Sequence, residues 1–325
     1  MRGNNTDTRF SWSKQGIGAL ILITATQSAH ALSTNWIVGN GNYSSAGNWD
    51  VPAVPCNTGG TTFDVTIGGS GTTTQDMTTC DINQLTIGSS RTLNIAAGSN
   101  FNTVGQANLS GIISGIGGDF AAASASFLGS TARASVNGGG TVQIGAPSYS
   151  ATGLTGATLF SSSGTGSVLD LSSLQSIDSS FNDVSGVVRA NSITASSDAR
   201  LDLSGVTSIT APARGEDRLD INVSDTAAID LSSLTTISGG GTTRFVVTAG
   251  GVQLLPALQT VSRGRFDVGG GGRLSTAGSN WIYINQLAGI PMFNVSGTGS
   301  VLDLSSLQSI DSSFNDVSGV VRANS

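Results

Sequence analysis

Apolar residues in this chain come in short alternating runs broken by Gly, Ser, Thr and Asn. In VLDLSSL (168–174), Leu169 and Leu171 fall on one face and Asp170 on the other, the period of a β-strand. The run recurs as RLDLSGV (200–206), AIDLSSL (228–234), GVQLLPAL (251–258) and VLDLSSL (301–307). A second piece follows it each time: QSI (175–177), TSI (207–209), TTI (235–237), QTV (259–261). A third piece opens on an aromatic or Leu: FNDV, LDIN, RFVV, RFDV, MFNV. The markers Phe160, Phe181, Leu201, Leu219, Phe245, Phe266, Phe293 and Phe314 recur at a nearly regular spacing. Three short strands per unit, with no helical stretch between them, predict an all-β chain folded as a right-handed parallel β-helix of about 22 residues per coil.

A stricter repeat lies on top of this one. Ser163 to Ser192 recurs letter for letter as Ser296 to Ser325, an offset that the marker spacing reads as six coils. Stacking explains how a block can be copied intact. One coil cannot bury its apolar face alone, but each needs only a neighbour with the same pattern. The nearest rival is a leucine-rich solenoid of the receptor L-domain type, which LDLSSLxxI also resembles. Against it, the Asn ladder after the strand is missing and no helix fits the convex side. A β-sandwich would need hairpin turns and no fixed period. No terminal cap follows the second copy: either the chain is truncated at its C-terminus, or a recent duplication has removed the original end, or the repeat is an assembly artefact.

Composition narrows the class. Of 325 residues 45 are Gly and only 10% are charged, against about 25% in typical globular chains. The N-terminus has the pattern of an export signal. Arg2, Arg9 and Lys14 precede the apolar GIGALILITAT (16–26), and Ala29-His30-Ala31 fits a cleavage site. The reading is therefore a signal peptide at 1–31, a capping region with the first coils at 32–105, and β-helix repeats at 106–325. Removing the signal also removes the only His and the only Lys. It leaves Glu216, 18 Asp and 11 Arg, a net charge of −8. Such a chain has no basic surface for nucleic acid. No later apolar run approaches the ~18 residues of a membrane helix. Cys56 and Cys80, alone in an exported chain, are expected to form one disulfide.

The segment NWIVGNGNYSSAGNWDVPAVP (35–55) has a different texture. Through Trp36, Gly39, Gly41, Tyr43, Asn48, Trp49 and Pro55 it resembles the opening of bacterial secreted β-helix proteins, of the pectin-lyase-like superfamily and of autotransporter-type surface proteins. Trp36 and Trp49 read as a cap over the first coil, or as a platform on which a sugar stacks. The resemblance also implies a search for polysaccharide chemistry. Galacturonase-type members carry an Asp-Asp pair and a Gly-His-Gly segment, and this chain has neither.

Other chemistry is sparse. Ser is abundant, but no His or Lys remains to act as its base. The dense charge group RGEDRLD holds Arg214, Glu216, Asp217, Arg218 and Asp220. It reads as an acid pair, a Ca²⁺ loop, or a corner loop with internal ion pairs. Asp170, Asp202, Asp230 and Asp303 share one place in their units and would form an outward column. That column could collect Ca²⁺ or simply protect the sheet. The expectation is an exported structural or adhesive element at the cell surface of a Gram-negative-type bacterium, with no catalytic, metal or cofactor site. Its partners would be cell-surface or matrix glycans, or another copy met through the solenoid end. The alternative is a polysaccharide lyase or glycoside hydrolase.

Overall fold

The computed structural model describes residues 30–278, 280–284, 291–311 and 313. Residues 1–29 of the expected signal segment, Phe314 and most of the second block's end lie outside them. The chain is a β-solenoid of about 10 turns and about 24 residues per turn, with three parallel sheets as its walls. The first sheet has 13 strands, the second 11 and the third seven. The only helical turn among the described residues is the 3-10 segment Ala46–Asn48. No helix among them is long and apolar enough to cross a membrane.

The alternation read from the sequence is what builds the walls. Phe63–Ile67 buries its first, third and fifth residues and turns the others outward. In-register pairing then stacks like on like. The second sheet runs Ala134, Phe160, Ile193, Ile221, Phe245, Phe266, Phe293. Phe245 and Phe266 stack at 5.4 Å, and Phe266 and Phe293 at 5.7 Å. The third sheet runs Tyr149, Ile177, Ile209, Ile237, Val261, Tyr283, Ile310. The first sheet runs Val142, Leu169, Leu201, Ile229. Each fully buried Leu, Ile or Phe contributes roughly 1.5–3 kcal/mol, so the core is a column of small equal increments.

Corners between the second and first sheets repeat one left-handed turn. Ser197–Asp198 and Asp225–Thr226 all have positive φ, between 52° and 62°. The Asp198 N–H donates to the Asp225 carbonyl on the next coil at 2.8 Å. Glycine dominates the same corner elsewhere because that conformation costs side chains about 1 kcal/mol or more. Another glycine is required by close approach: a Cβ on Gly145 would lie 2.1 Å from the Ala123 carbonyl oxygen.

Four expectations change. The turn is longer than the marker spacing implied, and the two identical blocks stand five turns apart, not six. Successive first-sheet partners in one register run Val168, Arg200, Ala228, Val252, Arg273 and Val301, at unequal intervals along the chain. The markers mixed faces: Leu201 lies in the first sheet, Leu219 one ladder away from Phe245, and Phe181 in a corner loop. FNDV (181–184) is therefore not the third strand, which is Ala190–Ser196. The strand Asn100–Leu109 spans residue 105, and the third sheet begins at Ser148–Ser150. Phase is nonetheless kept between the blocks. Val168–Asp170 and Val301–Asp303 share the first sheet, and Ser167 and Ser300 both accept a glycine N–H from the preceding coil, at 3.0 and 3.1 Å. The leucine-rich alternative fails because a third sheet stands where its convex side would be.

Candidate functional site

The aromatic segment before the first full coil folds into a plug. Trp36 and Trp49 meet in an antiparallel bridge, rings edge-to-face at 5.0 Å. Tyr43 lies 4.7 Å from the Trp49 ring and 5.1 Å from Phe101, which continues into the core. The Tyr43 hydroxyl donates to the Pro55 carbonyl at 2.7 Å, and the Trp49 indole N–H donates to the Tyr43 carbonyl at 3.0 Å. Asp50 closes the plug by accepting from the Asn35 backbone N–H, the Asn35 amide and the Thr34 hydroxyl. Those bonds, the Asn35 backbone one foremost, hold its carboxyl below the usual range. Trp36 is 6% exposed and Trp49 3%. Both side chains are buried, and they pack as part of the plug.

The expected disulfide is present between Cys56 and Cys80, whose Cα atoms are 5.1 Å apart. It ties the plug's exit to the strand Cys80–Ile82. Beside the plug lies a shallow pocket of about 380 Å³, lined among others by Asn35, Trp36, Ser70 and Arg91. Arg91 was not singled out by sequence. It is 2% exposed and pairs with no carboxylate among the described residues. Its guanidinium donates instead to the carbonyls of Val38 (3.2 Å), Gly39 and Gly68, pinning the plug to the coil beneath. The signal that would have found it is a lone Arg in an otherwise alternating strand, SRTLNIA.

The carboxylates are committed to corners. Asp170, Asp202 and Asp230 do line up in register, and Asp303 holds the same sheet. Each accepts the backbone N–H two residues on, from Ser172, Ser204, Ser232 and Ser305, at 3.0–3.1 Å. This is an Asx-turn, repeated where the chain leaves the first sheet. Arg200 bridges Asp202 at 2.9 Å and Asp230 at 3.5 Å. Burial acts to raise the Asp202 carboxyl, but its Ser204 bonds and Arg200 outweigh that, and the net shift is downward. On the second sheet Arg218 pairs Asp220 at 3.0 Å, and Asp267 takes both Arg244 and Arg265.

RGEDRLD does not bring its acids together. Glu216 is exposed and paired with Arg214, whereas Asp217 is fully buried and accepts the Arg189 backbone N–H at 2.9 Å. The Glu216 backbone N–H first, and Arg214 with it, hold the Glu216 carboxyl below its ordinary value. A glycosidase acid needs the opposite shift. Among the described residues no group of three or more His, Cys, Asp or Glu could hold a metal ion. Comparison of the chain with protein-family models, with curated proteins and with solved structures gave no match.

Proposed function

We propose that this chain is an exported structural or adhesive surface element, a shaft that presents its sheet faces and corner loops and carries out no catalysis. The observation that carries the reading is the employment of the carboxylates. Corner aspartates accept backbone N–H groups, Glu216 pairs with Arg214, and Asp217 is buried against Arg189. Glu216, the one Glu of the chain, is held below its ordinary value by its own backbone N–H and by Arg214, the opposite of the raised acid that carboxylate-based glycan cleavage uses. Export is supported by the Arg/Lys–apolar–AxA pattern of residues 1–31 and by the disulfide, which suits an oxidising compartment. Glycans of a cell surface or matrix are the proposed partners, met over a broad face.

The test separates shaft from enzyme. The purified chain is incubated with neutral and acidic polysaccharides, and new reducing ends and unsaturated products are assayed over days. The expected result is no turnover. Turnover that disappears in Glu216→Gln or Asp217→Asn would replace this reading with that of a polysaccharide-active enzyme.

A further inference from the structure

The second sheet carries a defect beside an unpaired charge. Along its outer face each strand normally turns every other residue outward. In Thr158–Ser163 two consecutive residues, Leu159 and Phe160, are instead buried. Leu159 is the extra residue of a β-bulge: Thr158 pairs with Ser192 and Phe160 with Ile193, leaving it without a partner. On the preceding strand Ala134 faces Phe160, so the place beside Arg133 falls to Leu159, whose side chain has gone into the core. The missing outward side chain leaves a gap of about 290 Å³ lined by Ile112, Arg133, Ser135, Thr158 and Ser161.

Arg133 differs from an ordinary solvated arginine. No carboxylate pairs with it among the described residues, although the chain is strongly acidic. Its Nε–H is out of contact with water and has no acceptor. An unsatisfied donor on a cation is costly, and an acceptor in the adjacent gap would relieve it. The rest of the lining is hydroxyl on one side and the half-buried Ile112 on the other. Thr158 and Ser192 hydroxyls lie 3.1 Å apart, and Ser135 donates to Ser114 at 3.2 Å, so the hydroxyls are already oriented along the face.

We infer that the bulge gap at Arg133 is a binding seat for an oxyanion carried on a hydroxyl-rich ring, a carboxylated or sulfated sugar unit. With the guanidinium swung into the gap, Nε–H and one Nη–H meet the oxyanion side-on, and Ser135, Thr158 and Ser161 exchange hydrogen bonds with ring hydroxyls. Ile112 receives an apolar ring face. The seat stands whether the solenoid serves as a shaft or as an enzyme.

Glucuronate, glucose 6-sulfate and uncharged glucose are titrated into the chain with its disulfide intact, followed by calorimetry and by amide shifts. Saturable binding of one or both charged sugars, absent for glucose, is expected, and the tighter of the two identifies the oxyanion. Arg133→Gln should weaken it about 10-fold or more, while Arg273→Gln, an exposed arginine of the first sheet, should leave it unchanged. Equal binding by Arg133→Gln, equal binding of glucose, or no saturable binding by the folded protein would each overturn the inference. Ser135→Val gives a second probe that keeps the charge: it should weaken the sugars while sparing free sulfate ion, and equal loss of both would overturn the role given to the hydroxyls.

Discussion

Removing the Tyr43 side chain should loosen one end of the solenoid and leave the other intact. The ring is fully buried between Trp49 and Phe101, at 4.7 and 5.1 Å, and its hydroxyl donates to the Pro55 carbonyl. Losing a buried ring of this size costs about 3–5 kcal/mol, and losing the hydroxyl's bond costs about 1 kcal/mol. Tyr43→Ala should therefore lower the local opening free energy by about 4–6 kcal/mol, roughly 10³- to 10⁴-fold in the opening equilibrium. In a stack whose coils touch only neighbours, that loss stays near its origin. Hydrogen exchange read by mass spectrometry locates it. Protection should collapse over Phe63–Ile67 and Ser90–Ala96 and persist over Arg218–Val223 and Thr242–Val247. Tyr43→Phe should show only the ~1 kcal/mol share of the hydroxyl. Equal loss of protection at both ends, or a first-coil change under about 1 kcal/mol, would refute the idea of a plug acting on a quasi-one-dimensional stack.

Reduction of Cys56–Cys80, whose partners are 24 residues apart, should cost about 3 kcal/mol in the chain-entropy account. Urea midpoints with and without reductant measure it, and coincident curves would deny the bridge a role in stability. Asp183 provides a pH test: the Ser185 backbone N–H first, then its hydroxyl and Arg189, lower its pKa to about 2 from the usual 3.8. A depressed carboxyl contributes stability that is whole above its unfolded pKa and lost as pH falls through the folded one. The loop between Asp178 and Ala190 should thus open between about pH 4 and pH 2. Exchange rates there, corrected for intrinsic pH dependence, should rise in the parent protein and stay flat in Asp183→Ala.

Strand identity was legible because period-two burial is a local property: QSI, TSI, TTI and QTV all lie on the third sheet's strands. Phase was not, because coil length is set by corner loops that bury little. The loop from Ser179 to Arg189 inserts Phe181 into the core without making a strand, which misled the count of coils between the two blocks. The disulfide followed from two lone cysteines. The Leu159 bulge left no signal, since a Leu-Phe pair between Thr158 and Ser161 reads the same whether one side chain or both point inward. Trp36 and Trp49 show the general difficulty at sites: an aromatic pair has the same letters as a plug and as a platform, and only the coil stacked beneath decides.

The five-turn separation of two identical blocks bears on heredity as well as packing. At about 4.8 Å per turn, equivalent positions in the two blocks are separated by roughly 24 Å of reach. Stretches that encode identical blocks invite unequal recombination where their codons also agree, and an exchange between these two would delete or add that length in one step. Because the described parts of the blocks hold the same walls, Val168–Asp170 with Val301–Asp303 in the first sheet and Ser176–Asp178 with Leu307–Asp311 in the third, a junction there would join strand to matching strand. The reach of such a solenoid could then vary between lineages in quanta, each product packed as its parent is.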